Sequence, residues 1–234
     1  MSGFTDIHTH LIYGVDDGAQ TEEEMQAMLD AAWADGVTAL YATSHVTPGI
    51  RPFDKMVYLR HLKKAQQYCW EKGYSITLHS GAEILYTPAI RSHALEHRLP
   101  TLGRSRWILM EFVPDISYKE IEEAVSFVES CGYLAILAHI ERYPCLRHGG
   151  ANRLAQKHNV RYQINCDTIL KKHGIWMDYQ IKKWLNQHLI SYVASDSHDC
   201  HRRPTRMKEA HEVLCRMVGK RYADRLMGIK ARSR

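Results

Sequence analysis

No stretch of the chain approaches the roughly 20 consecutive apolar residues that a membrane-crossing helix needs, so no membrane span is expected. The opening MSGFTDIHTH has neither an apolar core nor a cleavage site, and no secretory signal is expected there. Six cysteines, at 69, 131, 145, 166, 200 and 215, form no C-x-x-C pair. They read as free thiols in a reducing, cytoplasmic setting. No Pro/Gly/Ser-rich linker and no low-complexity stretch divides the sequence, so residues 1–234 are expected to form one domain. Lys and Arg (31) exceed Asp and Glu (26), yet no dense basic track interleaved with aromatics is present. Nucleic acid is therefore not an expected partner, while the net charge of +5 suits an anionic substrate. Much of that charge lies in the closing GKRYADRLMGIKARSR, read as a solvated tail.

What is present is a cadence. Apolar, β-branched runs begin near residues 4, 37, 76, 107, 133, 160 and 190: FTDIH, VTALYAT, ITLHSGA, WILMEF, YLAILAH, VRYQINC and ISYVAS. Buried-type runs separated by helical segments predict repeated βα units and a parallel sheet. Seven such units in a chain of 234 residues predict a closed or nearly closed barrel, with an open doubly wound sheet as the alternative. Helix boundaries are marked as well. Thr21 with Glu24 and Ser117 with Glu120 form T-x-x-E and S-x-x-E boxes, Asp54 can cap the helix after it, and Gly36, Gly73 and Gly132 act as stops.

In a βα barrel the active site lies at the C-terminal ends of the strands. The first run ends in His8 and leads to His10, two imidazoles on one side of an extended chain. His45 follows the second run, Glu83 ends the third, Glu111 lies in the fourth, and His139 ends the fifth. Asn165 lies in the sixth, Asp196 and His198 end the seventh, and the first loop adds Asp16 and Asp17. Acids and imidazoles at the ends of apolar strands are costly to bury without partners, and metal ions partner many at once. His8, His10, His45, His139 and His198 with Asp17, Glu83, Glu111 and Asp196 exceed what one ion takes, so two or three are expected. Imidazole and carboxylate without thiolate suit manganese, iron or zinc alike. Three divalent ions would outweigh the four acids by about two charges, which a phosphate dianion offsets. Arg142 and Arg203 directly follow strand ends and could clamp phosphate oxygens. Two C-x5-R matches, Cys200 to Arg206 and Cys215 to Arg221, are set aside as cysteine-phosphatase loops. The first lacks phosphate-cradling glycines and contains Pro204; the second lies in a helix-like stretch.

DIHTHLIYGVDDGA, TSHVTPG, GAEILYTP, LMEF, AHIERY and ASDSHDCHRRP, in this order over about residues 4–228, resemble the polymerase-and-histidinol-phosphatase (PHP) superfamily. Within it the likeness is to bacterial protein-tyrosine phosphatases encoded beside capsule and exopolysaccharide genes. The resemblance implies a distorted (βα)7 TIM-like barrel with a trinuclear centre, usually described with manganese. His8, His10, Glu83 and Asp196 would hold one ion. Glu83 would bridge to a second with Glu111 and His139, and Asp17, His45 and His198 would hold the third. Arg142 and Arg203 match phosphate-binding arginines, and His198 is a candidate proton source. A hydroxide generated at the metals would attack phosphorus in line. The implied substrate is the phosphotyrosine tail of a membrane-associated tyrosine kinase that drives polysaccharide export. Cys166 and Asp167, and the loop from Val46 to Ile50, depart from the pattern at positions expected near the substrate. Rival readings are another phosphoesterase of the superfamily, histidinol-phosphatase-like or exonuclease-like, and a metal-binding regulatory module without turnover.

Overall fold

A computed structural model describes residues 3–229. Its strands are the seven apolar runs, but two of them are interrupted, giving nine segments. The first run is β1 (Phe4–Thr9). The second is split into β2 (Val37–Ala42) and β3 (His45–Val46), and the third into β4 (Thr77–Ser80) and β5 (Glu83–Leu85). The others are β6 (Trp107–Glu111), β7 (Leu134–Leu137), β8 (Arg161–Asn165) and β9 (Tyr192–Ala194). Both interruptions fall at one level. Glu83 N–H points at the carbonyls of Thr43 and Ser44, 3.1 Å from each, so the ladder changes partners between Ala42 and His45.

Every ladder is parallel, in the orders β1-β2-β4 and β3-β5-β6-β7-β8-β9. The edges of this curled sheet meet at β1. On one side Thr43 N–H donates to Thr9 O (2.8 Å); on the other Asp196 N–H donates to His8 O (2.9 Å) and His10 N–H to Ser197 O (2.8 Å). Ile7, Leu109, Ile136, Ala138 and Ala194 form a small cluster of their own, while Ile108, Met110, Ala135 and Leu137 join the larger core. Alternation along β6 and β7 produces that division.

The helices cover the sheet with stripes at helical spacing. α1 (Glu22–Ala34) buries Met25, Met28, Leu29 and Ala32, and α4 (Tyr118–Ser130) buries Ile121, Ala124, Val125 and Val128. Between them lie α2 (Lys55–Glu71) and the short α3 (Ile90–Leu95). Asp54 caps α2 through Met56 and Val57 N–H, and Ser117 with Glu120 closes a full capping box on α4. The expected box at Thr21 is only half made. Its hydroxyl accepts from Glu24 N–H, but the Glu24 carboxylate accepts from Gln20 N–H (2.6 Å), one residue before the cap. Gly36, Gly73 and Gly132 stand at positive φ after α1, α2 and α4. The chain continues through α5 (Gly150–Lys157), α6 (Cys166–Leu170), α7 (Ile175–Asn186), α8 (Met207–Val218) and α9 (Lys220–Leu226). Asp35, at the end of α1, accepts from Met207 N–H (2.6 Å) at the start of α8. Part of the basic tail therefore forms α9; residues 230–234 lie outside the described residues. All six cysteines are free, and no helix among the described residues is long and apolar enough to cross a membrane.

Candidate metal centre

β1 delivers His8 and His10 with their Nε2 atoms 3.3 Å apart. Both face Glu83 Oε2, from β5, at 3.1 and 3.2 Å, and Asp196 Oδ1, just past β9, at 3.5 Å. Glu83 lies at the middle of the cluster. Its other oxygen is 2.7 Å from His139 Nε2, and its Oε2 is 3.2 Å from His45 Nδ1. Glu111, at the end of β6, reaches His139 at 3.5 Å and His45 at 3.6 Å. Asp17 Oδ1 is 3.5 Å from both His45 Nε2 and His198 Nε2. Three groups have the geometry of cation sites: His8, His10, Glu83 and Asp196; His45, Glu83 and Glu111; and His10, Asp17, His45 and His198. Eight of the nine expected ligands fall in these groups; the ninth, His139, adjoins them through Glu83 Oε1 (2.7 Å) and Glu111 Oε1 (3.5 Å). Two details differ from the sequence reading: His45 takes the place expected for His139 in the group with Glu83 and Glu111, and His10 joins the Asp17 group.

The donor set passes a test of fit for metal. Four of the five imidazoles have Nδ1 against an oxygen and Nε2 turned inward. His10 Nδ1 meets Asp16 Oδ2 (2.8 Å), His8 Nδ1 meets Gln163 Oε1 (3.2 Å), His198 Nδ1 meets Asp196 O (3.0 Å), and His139 Nδ1 meets Tyr143 Oη (3.3 Å). Such partners fix the tautomer that leaves an Nε2 lone pair for a cation. Charge gives the same answer. Burial would raise Glu83, yet His8, His10 and His139 hold it well below the usual carboxylate range. Burial opposes charge on His8 and His10, yet the surrounding carboxylates raise both. A fully buried carboxylate that draws protons onto its neighbours is a site that calls for positive charge. His198 goes the other way: burial and the adjacent His10 push it down to about 4. That direction favours a neutral imidazole with a lone pair to donate. Glu111 is raised by burial and by Glu83.

The backbone is bent to make these contacts. His139 (φ 31°) and Asp196 (φ 54°) stand in the left-handed region directly after their strands, a conformation costing about 1–2 kcal/mol per residue. The first loop folds tightly over β1: a Cβ on Gly18 would lie 2.1 Å from His10 O, so only glycine fits there.

Asp196 also faces outward. Its Oδ2 accepts from Arg142 Nη2 (2.9 Å), Arg203 Nη2 (2.7 Å) and Asn165 Nδ2 (2.7 Å). The two arginines, each about two-fifths exposed, converge on a cavity of about 350 Å3 whose walls include Asn165, Lys171, Met177 and Asp196. A larger cavity of about 810 Å3, along the loop from Val46 to Phe53, has none of the nine ligand residues in its walls. Cys200 and Cys215 do not line either cavity, and Cys215 Sγ instead packs 3.6 Å from His211 on α8.

The sequence reading named Asp16 without a role, and it missed Gln163 and Tyr143. Asp16, the first acid of the DDG turn, holds His10 and the His45 N–H (2.9 Å) and is itself lowered to about 2, His10 prevailing over burial. Gln163, fully buried in β8, joins His8 to the His139 N–H (2.7 Å). A glutamine inside an apolar strand was the available signal. Tyr143 accepts from Phe112 N–H (3.0 Å) while touching His139.

Comparison with known proteins identifies the family and the fold. A model of the family described as "Capsular polysaccharide synthesis, CpsB/CapC" matches residues 4–233. The chain is 29% identical to the tyrosine-protein phosphatase CpsB of Streptococcus agalactiae serotype V, covering 97% of this chain and 96% of that protein. It is also 29% identical to CpsB of Streptococcus pneumoniae, covering 94% and 93%. The crystal structures of YwqE from Bacillus subtilis and CpsB from Streptococcus pneumoniae are described as those of unique metal-dependent tyrosine phosphatases. They share this fold with a TM-score of 0.83 at 22% identity, covering 97% of this chain and 95% of that one. A histidinol phosphate phosphatase from Lactococcus lactis, solved with zinc, L-histidinol and phosphate, gives a TM-score of 0.60 at 12% identity, over 94% of each chain.

Proposed function

Since the chain belongs to the CpsB/CapC capsular polysaccharide synthesis family, we propose that it is a metal-dependent protein-tyrosine phosphatase. The observation that carries this reading is the convergence of nine ligand-type side chains beside two arginines that share one oxygen of Asp196.

His8, His10, Glu83 and Asp196 would hold one ion. Glu83, Glu111 and His139, with His45 in reach, would hold a second, and Asp17, His45 and His198 a third. Manganese is the proposed metal, with iron or zinc meeting the same donor chemistry. Bound there, such ions would supply an activated water and neutralise charge on the phosphoryl group. The chain's own residues do the rest. Arg142 and Arg203 present planar forks to the phosphoryl oxygens and grip harder as charge grows. Asp196, itself held by Asn165 Nδ2, holds those forks in place. A tyrosine leaving group, with a phenol pKa of about 10, departs without strong acid assistance, which suits a site whose His198 is unprotonated. We read the nine segments as seven βα units of a distorted TIM-like barrel forming a single domain over 1–234. The proposed substrate is the phosphotyrosine tail of a membrane-associated kinase of polysaccharide export, met in the cytoplasm.

One preparation tests the reading: elemental analysis, then turnover before and after chelator dialysis, with manganese or magnesium restored. Activity should vanish with the metal and return best with manganese. A phosphotyrosine peptide should be cleaved in preference to a phosphoserine peptide, histidinol phosphate or an oligonucleotide. Undiminished turnover in metal-free protein, or preference for one of the other substrates, refutes it.

A further inference from the structure

The rim of the arginine cavity carries an unusual surface. Residues 171–176, between α6 and the first turn of α7, are all exposed. Among them Ile175 is 86% and Trp176 84% exposed, and Tyr179 one turn later is 63% exposed. Apolar side chains this open and this close together mark an interaction site more often than an accident. Trp176, Tyr179 and Lys183 follow one another at i, i+3 and i+7 along α7, so they share a face. The same segment reaches the cavity, because Lys171 and Met177 line it together with Arg142 and Arg203.

The local charge is one-sided. Asp167 is already engaged by Lys171 and Arg206. Asp178 is turned to the backbone, accepting from His173 N–H (3.0 Å). Lys172 and Lys183 have no ion pair among the described residues, so the exposed rim presents cations and apolar surface, with Asp167 and Asp178 occupied and Glu141 buried in the cavity wall.

From this placement we propose that Ile175, Trp176 and Tyr179, with Lys172, form a docking shelf for the residues that flank the phosphotyrosine of a polypeptide substrate, and that it favours apolar and acidic neighbours. The inference rests on the phosphatase reading above. A phosphotyrosine whose phosphoryl group lies between Arg142 and Arg203 fills the cavity with its ring, so the backbone on either side must cross the rim. Trp and Tyr give large rigid contact area at low entropic cost, and the lysine selects acidic neighbours.

The test compares wild type with Ile175→Ser/Trp176→Ser, Lys172→Glu and the conservative Trp176→Tyr. The probes are p-nitrophenyl phosphate, a phosphotyrosine peptide with apolar and acidic neighbours, and one with Gly and Ser neighbours. Binding of the first peptide is also read directly by fluorescence anisotropy. The double variant should lose about 10-fold in kcat/KM on the apolar-acidic peptide, through KM, with binding weakened in parallel. Hydrolysis of p-nitrophenyl phosphate and of the Gly/Ser peptide, and metal content, should stay within about twofold. Lys172→Glu should lose about 3-fold or more on the acidic peptide alone, and Trp176→Tyr should restore most of the preference. Equal effects on p-nitrophenyl phosphate, or no effect on the first peptide, overturn the shelf. So does Trp176-dependent capture by phosphatidylserine vesicles, or Trp176-dependent self-association, with peptide preference unchanged. If the wild type cleaves none of the three probes, the phosphatase reading fails, while the binding measurement still decides the shelf.

Discussion

Gln163→Leu should damage the centre without touching any proposed ligand. Gln163 Oε1 lies 2.7 Å from His139 N–H and 3.2 Å from His8 Nδ1, and its Nε2 donates to Asn165 Oδ1 at 2.8 Å. The backbone N–H at His139 requires an oxygen opposite it, so the orientation of the amide follows. Leucine has nearly the same bulk and no acceptor. Two buried donors would be left without partners, at about 1–3 kcal/mol each. Partial relaxation keeps the total within about 2–6 kcal/mol. For a chain of this size each kcal/mol shifts Tm by about 2–4 °C, so a loss of roughly 5–20 °C is expected. Releasing the Nδ1 of His8 also frees its ring to rotate, and metal affinity should fall by about 10- to 100-fold. Gln163→Glu keeps the acceptor and should retain more metal affinity than Gln163→Leu, although its buried charge costs stability. Thermal unfolding of the metal-free protein and manganese titration of the same samples check both parts. Wild-type Tm and wild-type affinity in Gln163→Leu would refute the reasoning.

Glu83→Ala should lose metal and activity together, since Glu83 alone lies within hydrogen-bond range of four imidazoles; metal stoichiometry beside kinetics checks it. Arg142→Ala and Arg203→Ala should each lower kcat/KM by roughly 10- to 1000-fold while metal content stays at the wild-type level, and metal loss in either would overturn their assignment to phosphate. Cys200→Ser and Cys215→Ser should keep most activity, because neither thiol lines the arginine cavity; a loss of more than about 100-fold in kcat would reopen a covalent mechanism.

Legibility in the sequence followed the physics that reaches furthest along a chain. Strand runs and helix stripes show as periodicity, and the Ser117 box, the Asp54 cap and the glycine stops are local chemistry. Their positions could be read directly. The candidate ligands other than the loop residue Asp17 were legible because each is a polar residue at or just past the end of an apolar run, where burial without a partner is expensive. The breaks after Ala42 and Ser80 left no trace, since they depend on which neighbour strand the ladder meets. Asp16 and Asp17 are adjacent and identical in type. The resemblance singles out Asp17, but only the fold shows Asp16 buried against His10 and Asp17, 65% exposed, facing His45 and His198. Gln163 and Tyr143 lie far in sequence from the histidines they hold. The left-handed backbone at Asp196 has no sequence signature of its own.

That backbone explains why one residue can serve both halves of the site. At φ 54° Asp196 turns off the line of β9, so its two oxygens face different neighbours. Oδ1 lies 3.5 Å from the Nε2 atoms of His8 and His10, and Oδ2 carries Arg142, Arg203 and Asn165. A carboxylate this buried would ordinarily rise in pKa, but His8 and His10 lower it instead. Its charge is therefore available to both sides. The arginines are held at the edge of the ligand cluster by the same group that would bind an ion, which would set the proposed cation and phosphate sites one carboxylate apart. Reactions that need a nucleophile and a phosphoryl group in register depend on such fixed separations. An exposed arginine pair without this anchor would retain its charge and lose its register. Asp196, rather than either arginine, is where the proposed metal and phosphate sites become one structure.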